Sequence, residues 1–151
     1  MESKSNLKAL KAIFGDINSR GAELYGGRWN SPGRRAVYCA TSISLAILEV
    51  LVHLKDEQAL DDFAVLEIQV PDDSLMRLFP LPEQWSAEPL TSDSQQAGDA
   101  WLESLSSLGL VVPSVIVPPE YNVLLNPRHS GFAHCQATAR EVDLALDPRL
   151  L

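Results

Sequence analysis

The stretch GGRWNSPGRRAVYCATSISLAILEVLVH, residues 26–53, predicts the central unit of the fold. Residues 36–40 (AVYCA) are short and rich in strand formers. Thr41 and Ser42 follow as candidate helix N-caps, because a hydroxyl just before an apolar run can accept a hydrogen bond from the first helical turn. Residues 43–54 (ISLAILEVLVHL) then predict a helix that is apolar on most of its circumference. The stretch therefore indicates a strand, a cap and a buried helix in succession.

Glu49 lies in the middle of this apolar run. A charge in an apolar setting is costly unless it is paired or hydrogen-bonded, so Glu49 needs either a partner or a chemical role. His53 follows four residues later and would share its helix face. Two interpretations stay open: an internal ion pair with His53 or Arg28, or a functional carboxylate.

The rest of the chain alternates strand and helix patterns. Residues 7–14 predict a strand or a short helix, and residues 63–70 (FAVLEIQV) predict a strand with at least one buried face. Residues 71–99 contain several prolines and predict a long irregular segment. Residues 97–108 predict an amphipathic helix with Trp101, Leu105 and Leu108 on one face and Gly109 as its stop.

Residues 110–118 (LVVPSVIVP) predict a strand in which Pro113 indicates an edge or a bulge, and NVLLNP follows at residues 122–127. No repeat or heptad pattern is present. Because 151 residues suit one hydrophobic core, we expect a single α+β domain over residues 1–151.

Composition limits the class of protein. The chain is 46% apolar and 21% charged, and it has no apolar run of membrane-spanning length and no signal-peptide pattern, so we expect a soluble, cytoplasmic protein. Cys39 and Cys135 lack metal-site or disulfide-framework spacing and are expected as reduced thiols. Twelve basic against twenty acidic residues give a net charge of −8, which disfavours nucleic acid as a partner. A local patch of Arg28, Arg34 and Arg35 could still hold a small anion.

The residues before the buried helix suit a nucleotide. Gly26 and Gly27 permit close approach of the backbone, and Arg28 offers a planar fork of donors for a phosphate or pyrophosphate. Trp29 and Tyr38 offer flat aromatic faces, although a lone tryptophan is more often a core residue than a stacking platform. An arginine after two glycines is also common in plain turns, so it is the combination of these features that indicates a nucleotide site.

The run GAELYGGRWNSPGRRAVYCATSISLAILEVLVHL, with the later VPSVIVPPEYNVLLNPRH, closely resembles the RES-domain family, the toxin half of bacterial RES–Xre toxin–antitoxin pairs. The pieces GGRWNSPG, VYCA, LEVLVH, VPS and NPRH occur in family order, over about residues 21–132. The resemblance implies a fold like that of the mono-ADP-ribosyltransferases, with central β-sheets and flanking helices. It also implies an activity that consumes NAD and arrests growth, and a cognate Xre-like antitoxin as partner, with a homodimer as one form of the complex.

The resemblance places the family's arginine on Arg28, its tyrosine on Tyr38 and its glutamate on Glu49. Its serine falls on Ser114, with Ser130 as a rival. Members usually open with an aromatic–arginine pair on the first strand, whereas this chain has NLKALK at residues 6–11, so Lys8 or Lys11 would have to substitute.

These residue types fit cleavage of the bond between nicotinamide and ribose. Glu49 would stabilise an oxocarbenium-like centre, Tyr38 would stack on the nicotinamide, and Arg28 would neutralise the pyrophosphate. Gly27 and Trp29 would line the same site, and Ser114 would hydrogen-bond ribose or carboxamide. NAD is then the substrate, and no bound cofactor is expected. No metal site is expected either, because His129 and His134 lack the spacing of metal ligands on a helix.

Three alternatives remain at this stage. A serine or cysteine hydrolase is disfavoured, because the chain has no GxSxG motif and neither cysteine has a base at readable spacing. A non-catalytic module could use the same cluster to hold a nucleotide. An enzyme could also transfer ADP-ribose to a macromolecule, since only the acceptor differs between hydrolysis, phosphorolysis and transfer.

Overall fold

The strand, cap and helix predicted from residues 36–54 are present and form the middle of the fold. A computed structural model describes residues 7–13, 23, 25–52 and 63–150. The strands are β1 (Leu7–Ile13), β2 (Val37–Ala40), β3 (Val65–Pro71), β4 (Leu75–Arg77), β5 (Gly109–Pro113), β6 (Tyr121–Leu125) and β7 (Arg140–Val142). The helices whose two ends both lie within the described residues are α1 (Ile43–Leu51), α2 (Ser92–Ser104) and α3 (Phe132–Thr138). Short 3₁₀ turns lie at Asp72–Ser74 and Pro148–Leu150.

All seven strands join one mixed sheet in the order β4-β5-β6-β2-β1-β3-β7. The β4–β5 pair is parallel and every other pair is antiparallel. The predicted α+β class is therefore confirmed. Within the described ranges, no helix is both long and apolar enough to cross a membrane.

Ser42 is the N-cap of α1. Its hydroxyl oxygen accepts a hydrogen bond of 3.1 Å from the backbone N–H of Leu45, which satisfies one of the free donors of the first turn. α1 ends at Leu51 with Val52 as its C-cap, and His53 lies outside the described residues. The helix buries Leu45, Ala46 and Val50.

The sheet is covered on both faces. On one face, α3 packs Phe132 and Cys135 against a core from the central strands that includes Leu10, Cys39 and Ile68. The opposite face has two separate apolar clusters. One lies under α1 and contains Ala40, Leu45, Ala46, Val50 and Val65; the other lies under α2 and contains Trp29, Ala36, Trp101, Leu102, Leu110, Val112 and Leu124.

The prediction for α2 is wrong at both ends. The helix begins at Ser92 and ends at Ser104, and Leu105 takes a left-handed conformation with φ 51° and is 42% exposed. Gly109 opens β5 and does not stop the helix. Gly98 allows α2 to pack against the loop before β2, because a Cβ there would lie 1.6 Å from the carbonyl oxygen of Trp29. The helix position is thus set by a backbone contact that periodicity does not encode.

Residues 71–99 are more regular than predicted. They contain a 3₁₀ turn, β4 and the start of α2, and the segment between β4 and α2 is the irregular part. Pro113 ends β5 opposite Tyr121, beyond the last β4 pair at Arg77 and Val111. Its missing N–H therefore faces no strand on the β4 side, which explains how a proline fits in an interior strand.

Candidate functional site

Glu49 is hydrogen-bonded through one carboxylate oxygen. Its Oε1 accepts from the hydroxyl of Ser114 at 2.7 Å and from the Nδ2 amide of Asn122 at 2.8 Å. Glu49 is half-buried, and Ser114 is fully buried. Among the described residues, Oε2 has no hydrogen-bond partner. The carboxylate is therefore held at one oxygen and open at the other.

The strand register brings these three residues together. Ser114 directly follows β5, and its N–H donates to the carbonyl of Glu120 at 3.0 Å, which extends the β5–β6 pairing by one residue. Asn122 lies in β6 opposite both Val112 and Ala40, so its side chain faces the same side of the sheet as α1. The helix and the two strands thus meet at Glu49.

The hydroxyl of Ser114 has no remaining hydrogen-bonding capacity. It donates to Glu49 and accepts from the N–H groups of Ile116 at 3.2 Å and Val117 at 3.0 Å, which uses its hydrogen and both lone pairs. A contact from Ser114 to ribose or carboxamide does not fit this arrangement, and the serine positions Glu49 instead. The rival Ser130 is exposed in the turn before α3 and, among the described residues, is not a hydrogen-bond partner of Glu49.

Arg28 holds the irregular segment between β4 and α2. Its Nη1 donates to the carbonyls of Trp85 at 2.9 Å and Ala87 at 3.1 Å, and its Nη2 lies 3.0 Å from Oε2 of Glu88. The predicted alternative of a Glu49–Arg28 ion pair is therefore wrong, because the carboxylate that pairs with Arg28 belongs to Glu88. Within the described ranges, three of the five guanidinium N–H groups are used, which leaves Nε–H and one Nη2–H.

Trp29 is a core residue. It is 3% exposed, and its indole stacks on Trp85 with ring centroids 6.3 Å apart and planes at 17°. The Arg28 contacts to the carbonyls of Trp85 and Ala87 fix this stack in place. Trp85 is half-buried and packs against the same apolar cluster as Trp29.

Tyr38 uses its hydroxyl inside the loop. The hydroxyl donates to Oδ1 of Asn30 and accepts from the N–H of Trp29 at 3.0 Å. A Cβ at Gly27 would lie 2.6 Å from this oxygen, so Gly27 is required for close approach. Burial raises the pKa of the Tyr38 phenol well above its ordinary value.

Tyr38 lies two residues from Ala40 in β2, so its ring shares the sheet face of Asn122.

Lys11 lies on the same face of the sheet as Asn122, and Lys8 lies on the opposite face. Lys11 is opposite Ala40, which is in turn opposite Asn122, so two strand spacings, roughly 10 Å, separate Lys11 from Asn122. Its Nζ lies 3.3 Å from Oε2 of Glu67. Arg140 donates to the other Glu67 oxygen at 2.9 Å, and this hydrogen bond is the main reason that the pKa of Glu67 is lowered. Lys8 is three residues away from Lys11 and therefore faces the opposite side.

Among the described residues, His129, His134 and both cysteines form no hydrogen bond with Glu49. Nδ1 of His129 accepts from the N–H of Gly131 at 3.0 Å within a turn, and His134 is exposed. Within the described ranges, no three His, Cys, Asp or Glu residues are grouped so that they could hold a metal ion. Cys39 and Cys135 are buried and unbridged, and burial raises the pKa of the Cys39 thiol to about 12, which leaves it poorly suited to act as a nucleophile.

Sequence reasoning missed Asn122 and Trp85. Asn122 lies in the quoted piece EYNVLLNPRH, but its contact with Glu49 depends on the register of β6, which no local pattern reveals. Trp85 lies in a segment read as irregular, and its role depends on the hydrogen bonds from Arg28. The sequence signal that could have pointed to Trp85 is a tryptophan standing alone in a proline-rich segment.

The family model of the RES domain matches residues 5–147. The chain is 48% identical over 132 residues to "Toxin Res" of Yersinia enterocolitica, covering 86% of this chain and 87% of that protein. It is 47% identical over 147 residues to "Toxin Res" of Photorhabdus laumondii, covering 96% and 94%. It is also 40% identical over 142 residues to "Prs ADP-ribosylating toxin" of a Sphingobium species, covering 90% and 87%.

Among solved structures, the fold is similar to a chain in the crystal structure of the M. tuberculosis MbcT–MbcA toxin–antitoxin complex. The TM-score is 0.71 at 18% sequence identity, covering 97% of this chain and 87% of that chain. At this identity the likeness establishes a shared fold.

Proposed function

The chain belongs to the RES domain family, and from that membership we propose that it is the toxin of a toxin–antitoxin pair and that it consumes NAD by cleaving the bond between nicotinamide and ribose. The names of the relatives support the toxin assignment. The single observation that carries the chemistry is the half-buried Glu49, which is held at Oε1 by two donors and has Oε2 free among the described residues.

In the proposed reaction, the bond between C1′ of ribose and the nicotinamide nitrogen breaks. Nicotinamide leaves as a neutral molecule with the bonding electron pair, and positive charge moves to the ribosyl centre. A fixed carboxylate stabilises such an oxocarbenium-like centre because its charge needs no reorganisation at the moment of reaction. Glu49 supplies this carboxylate. Water then adds its oxygen to C1′ and loses a proton.

The remaining groups on this sheet face bind the dinucleotide. The ring of Tyr38 stacks on the cationic nicotinamide, since its hydroxyl is already used within the loop. Lys11, and not Lys8, substitutes for a first-strand arginine at the pyrophosphate, because Lys11 shares the face of Asn122. Arg28 contributes its two unused N–H groups and keeps the Trp85 segment in place.

The deciding experiment is incubation of the purified protein with NAD, followed by chromatography for free nicotinamide. A nucleotide-binding module that lacks catalysis would release none. Release of nicotinamide at a rate proportional to protein concentration, and its loss in the Glu49→Gln variant, are the expected results.

A second candidate is transfer of ADP-ribose to a macromolecule. The observation that favours it is the 40% identity to a relative named as an ADP-ribosylating toxin. Mass spectrometry of the adenine-containing product, with and without cell lysate, separates the two. Free ADP-ribose in both samples supports hydrolysis, whereas a mass increase on a lysate protein supports transfer.

The partner in this proposal is an Xre-like antitoxin that blocks the site, in the cytoplasm of a bacterium. The fold shared with a toxin–antitoxin complex supports it, and the net charge of −8 suits a basic partner. Expression of the chain alone should arrest growth and lower cellular NAD, and co-expression of the neighbouring gene should restore both. Normal growth with unchanged NAD, despite soluble folded protein, would contradict the toxin assignment.

A further inference from the structure

Asn122 binds the same oxygen of Glu49 as Ser114 does. A carboxylate can only accept hydrogen bonds, so the amide nitrogen of Asn122 must face Glu49 and its Oδ1 must point away. The orientation of this side chain is therefore fixed by its partner.

The other end of the Asn122 amide is not satisfied. Oδ1 is buried and has no hydrogen-bond partner among the described residues. A buried acceptor without a partner lowers stability, so a residue chosen for stability alone would not leave one there. The hydrogen bond from Asn122 to Glu49 offsets this cost in stability. The next two residues of the strand, Val123 and Leu124, are fully buried.

Two donors on one oxygen define the direction of the carboxylate. Ser114 approaches Oε1 from the end of β5 and Asn122 approaches it from β6, so rotation about the last side-chain bond of Glu49 would break both bonds. With Oε1 saturated by these donors, Oε2 is the oxygen left for a ligand.

We propose that Asn122 is a positioning residue that, together with Ser114, clamps Oε1 of Glu49 so that Oε2 alone faces the substrate. The assignment rests on the proposed cleavage of NAD. Asn122 acts through Glu49 and does not itself touch NAD, because its free acceptor is buried. Its removal should therefore slow the chemical step and leave substrate binding nearly unchanged.

The kinetic test compares the parent with Asn122→Ala. The variant should lose about 10- to 100-fold in kcat while KM changes less than about threefold, which is the pattern for an interaction needed in the transition state. Asn126→Ala is the matched control, since its amide donates to the carbonyl of Leu102 and is not bonded to Glu49. That control should lower Tm and leave kcat per folded molecule close to that of the parent.

The second test does not depend on activity. Tm is measured for Asn122→Ala, Glu49→Ala and the double variant, because residues in direct contact give non-additive changes. If Asn122 serves Glu49, its truncation should shift Tm in the Glu49→Ala background by less than half of the shift in the parent.

The outcomes separate the two proposals. A large KM increase without a kcat loss, or additive Tm shifts, would overturn the positioning role of Asn122. Non-additive Tm shifts in a protein that releases no nicotinamide would establish the contact and reject the reaction, and the catalytic part of the role would be rejected with it. Loss of kcat with non-additive Tm shifts supports both.

Discussion

The hydroxyl of Ser114 donates to Oε1 of Glu49 across 2.7 Å, although 65 residues separate the two in the chain. Among the described residues, this carboxylate in an apolar helix receives its partners from the neighbouring strands, and a pair with His53 stays a prediction because His53 lies outside those residues. Among the residues that the structure describes, this arrangement leaves one oxygen of the carboxylate free.

Glu49→Gln should reduce nicotinamide release by about 100-fold or more, because it removes the negative charge that stabilises the transition state. The amide oxygen of glutamine can still accept from Ser114 and Asn122, so Tm should stay close to that of the parent. The assay is nicotinamide release with circular dichroism on the same samples. Glu141→Gln, at an exposed carboxylate in β7, is the control and should be fully active. A near-parent rate in Glu49→Gln would make the assignment wrong.

Arg28→Ala should destabilise the protein by about 2–3 kcal/mol, because the carbonyls of Trp85 and Ala87 lose a charged donor. NAD affinity should fall as well, and Arg28→Lys should restore only part of either quantity, since an ammonium cannot reproduce the planar fork. Urea unfolding and calorimetric NAD binding in the Glu49→Gln background measure the two effects.

The exposed partner Glu88 provides the control for Arg28. Its side chain is 77% exposed, so Glu88→Gln should change stability by less than about 1 kcal/mol. Complete recovery by lysine at position 28 would argue against a role for the guanidinium fork.

Tyr38→Phe should lower stability by about 1–3 kcal/mol, because the N–H of Trp29 and Oδ1 of Asn30 lose the hydroxyl between them. The ring is kept, so NAD affinity should fall much less than in Tyr38→Ala if the ring stacks on nicotinamide. Equal losses of affinity in the two variants would move the role to the hydroxyl. Binding is measured by calorimetry and stability by urea unfolding.

Stability should fall at alkaline pH. Burial raises the pKa of the Cys39 thiol from 9.0 to about 12 and also raises the pKa of Tyr38 above its ordinary 10.0. A group whose folded pKa is raised contributes stability that is complete below the unfolded pKa and is lost as pH rises through the folded pKa. The unfolding free energy should therefore decline from about pH 9 upward.

Cys39→Ala tests the source of this alkaline loss. The variant lowers stability at all pH values through the lost sulfur, but its decline above about pH 9 should be shallower than that of the parent. Urea titrations at several alkaline pH values give both slopes. Parallel curves for parent and variant would assign the loss to other groups.

Gly98→Ala should destabilise the protein by about 3 kcal/mol or more, although the same change in an open helix stabilises it by about 1 kcal/mol. The reason is the 1.6 Å separation between the new Cβ and the carbonyl oxygen of Trp29, which forces α2 away from the loop. Gln96→Ala, at an exposed site in α2, should be near neutral. A parent-like Tm for Gly98→Ala would contradict the close packing.

Local sequence patterns predicted the helices and strands whose formation depends on residues close to them in the sequence. Ser42 and the apolar run after it predicted α1, and the alternating run before Pro71 predicted β3. The start of α2 was missed because its first five residues, Ser92–Gln96, are all polar and carry no apolar periodicity, and β4 was missed because three residues carry too little of it. Predicting a helix face from Leu105 failed because that residue is the left-handed end of the helix.

The candidate site could be predicted only in part, because local patterns reveal some of its residues and the tertiary structure brings in the others. Glu49 is identifiable because a charge in an apolar helix is locally anomalous, and its family resemblance pointed to Ser114. Asn122 is 73 residues from Glu49 and looks like any strand residue, so its contact emerges from the register of β2, β5 and β6. The use of Arg28 to hold a distant loop is likewise a tertiary effect.

The two outer strands of the sheet, β4 and β7, are three residues long and carry Arg77 and Arg140. Short, charged borders offer few free backbone groups for a foreign strand, which is how sheets resist aggregation. Two copies of this chain would accordingly meet through side-chain surfaces and would not extend one sheet into the next. High local concentration should then yield discrete complexes and not fibrils.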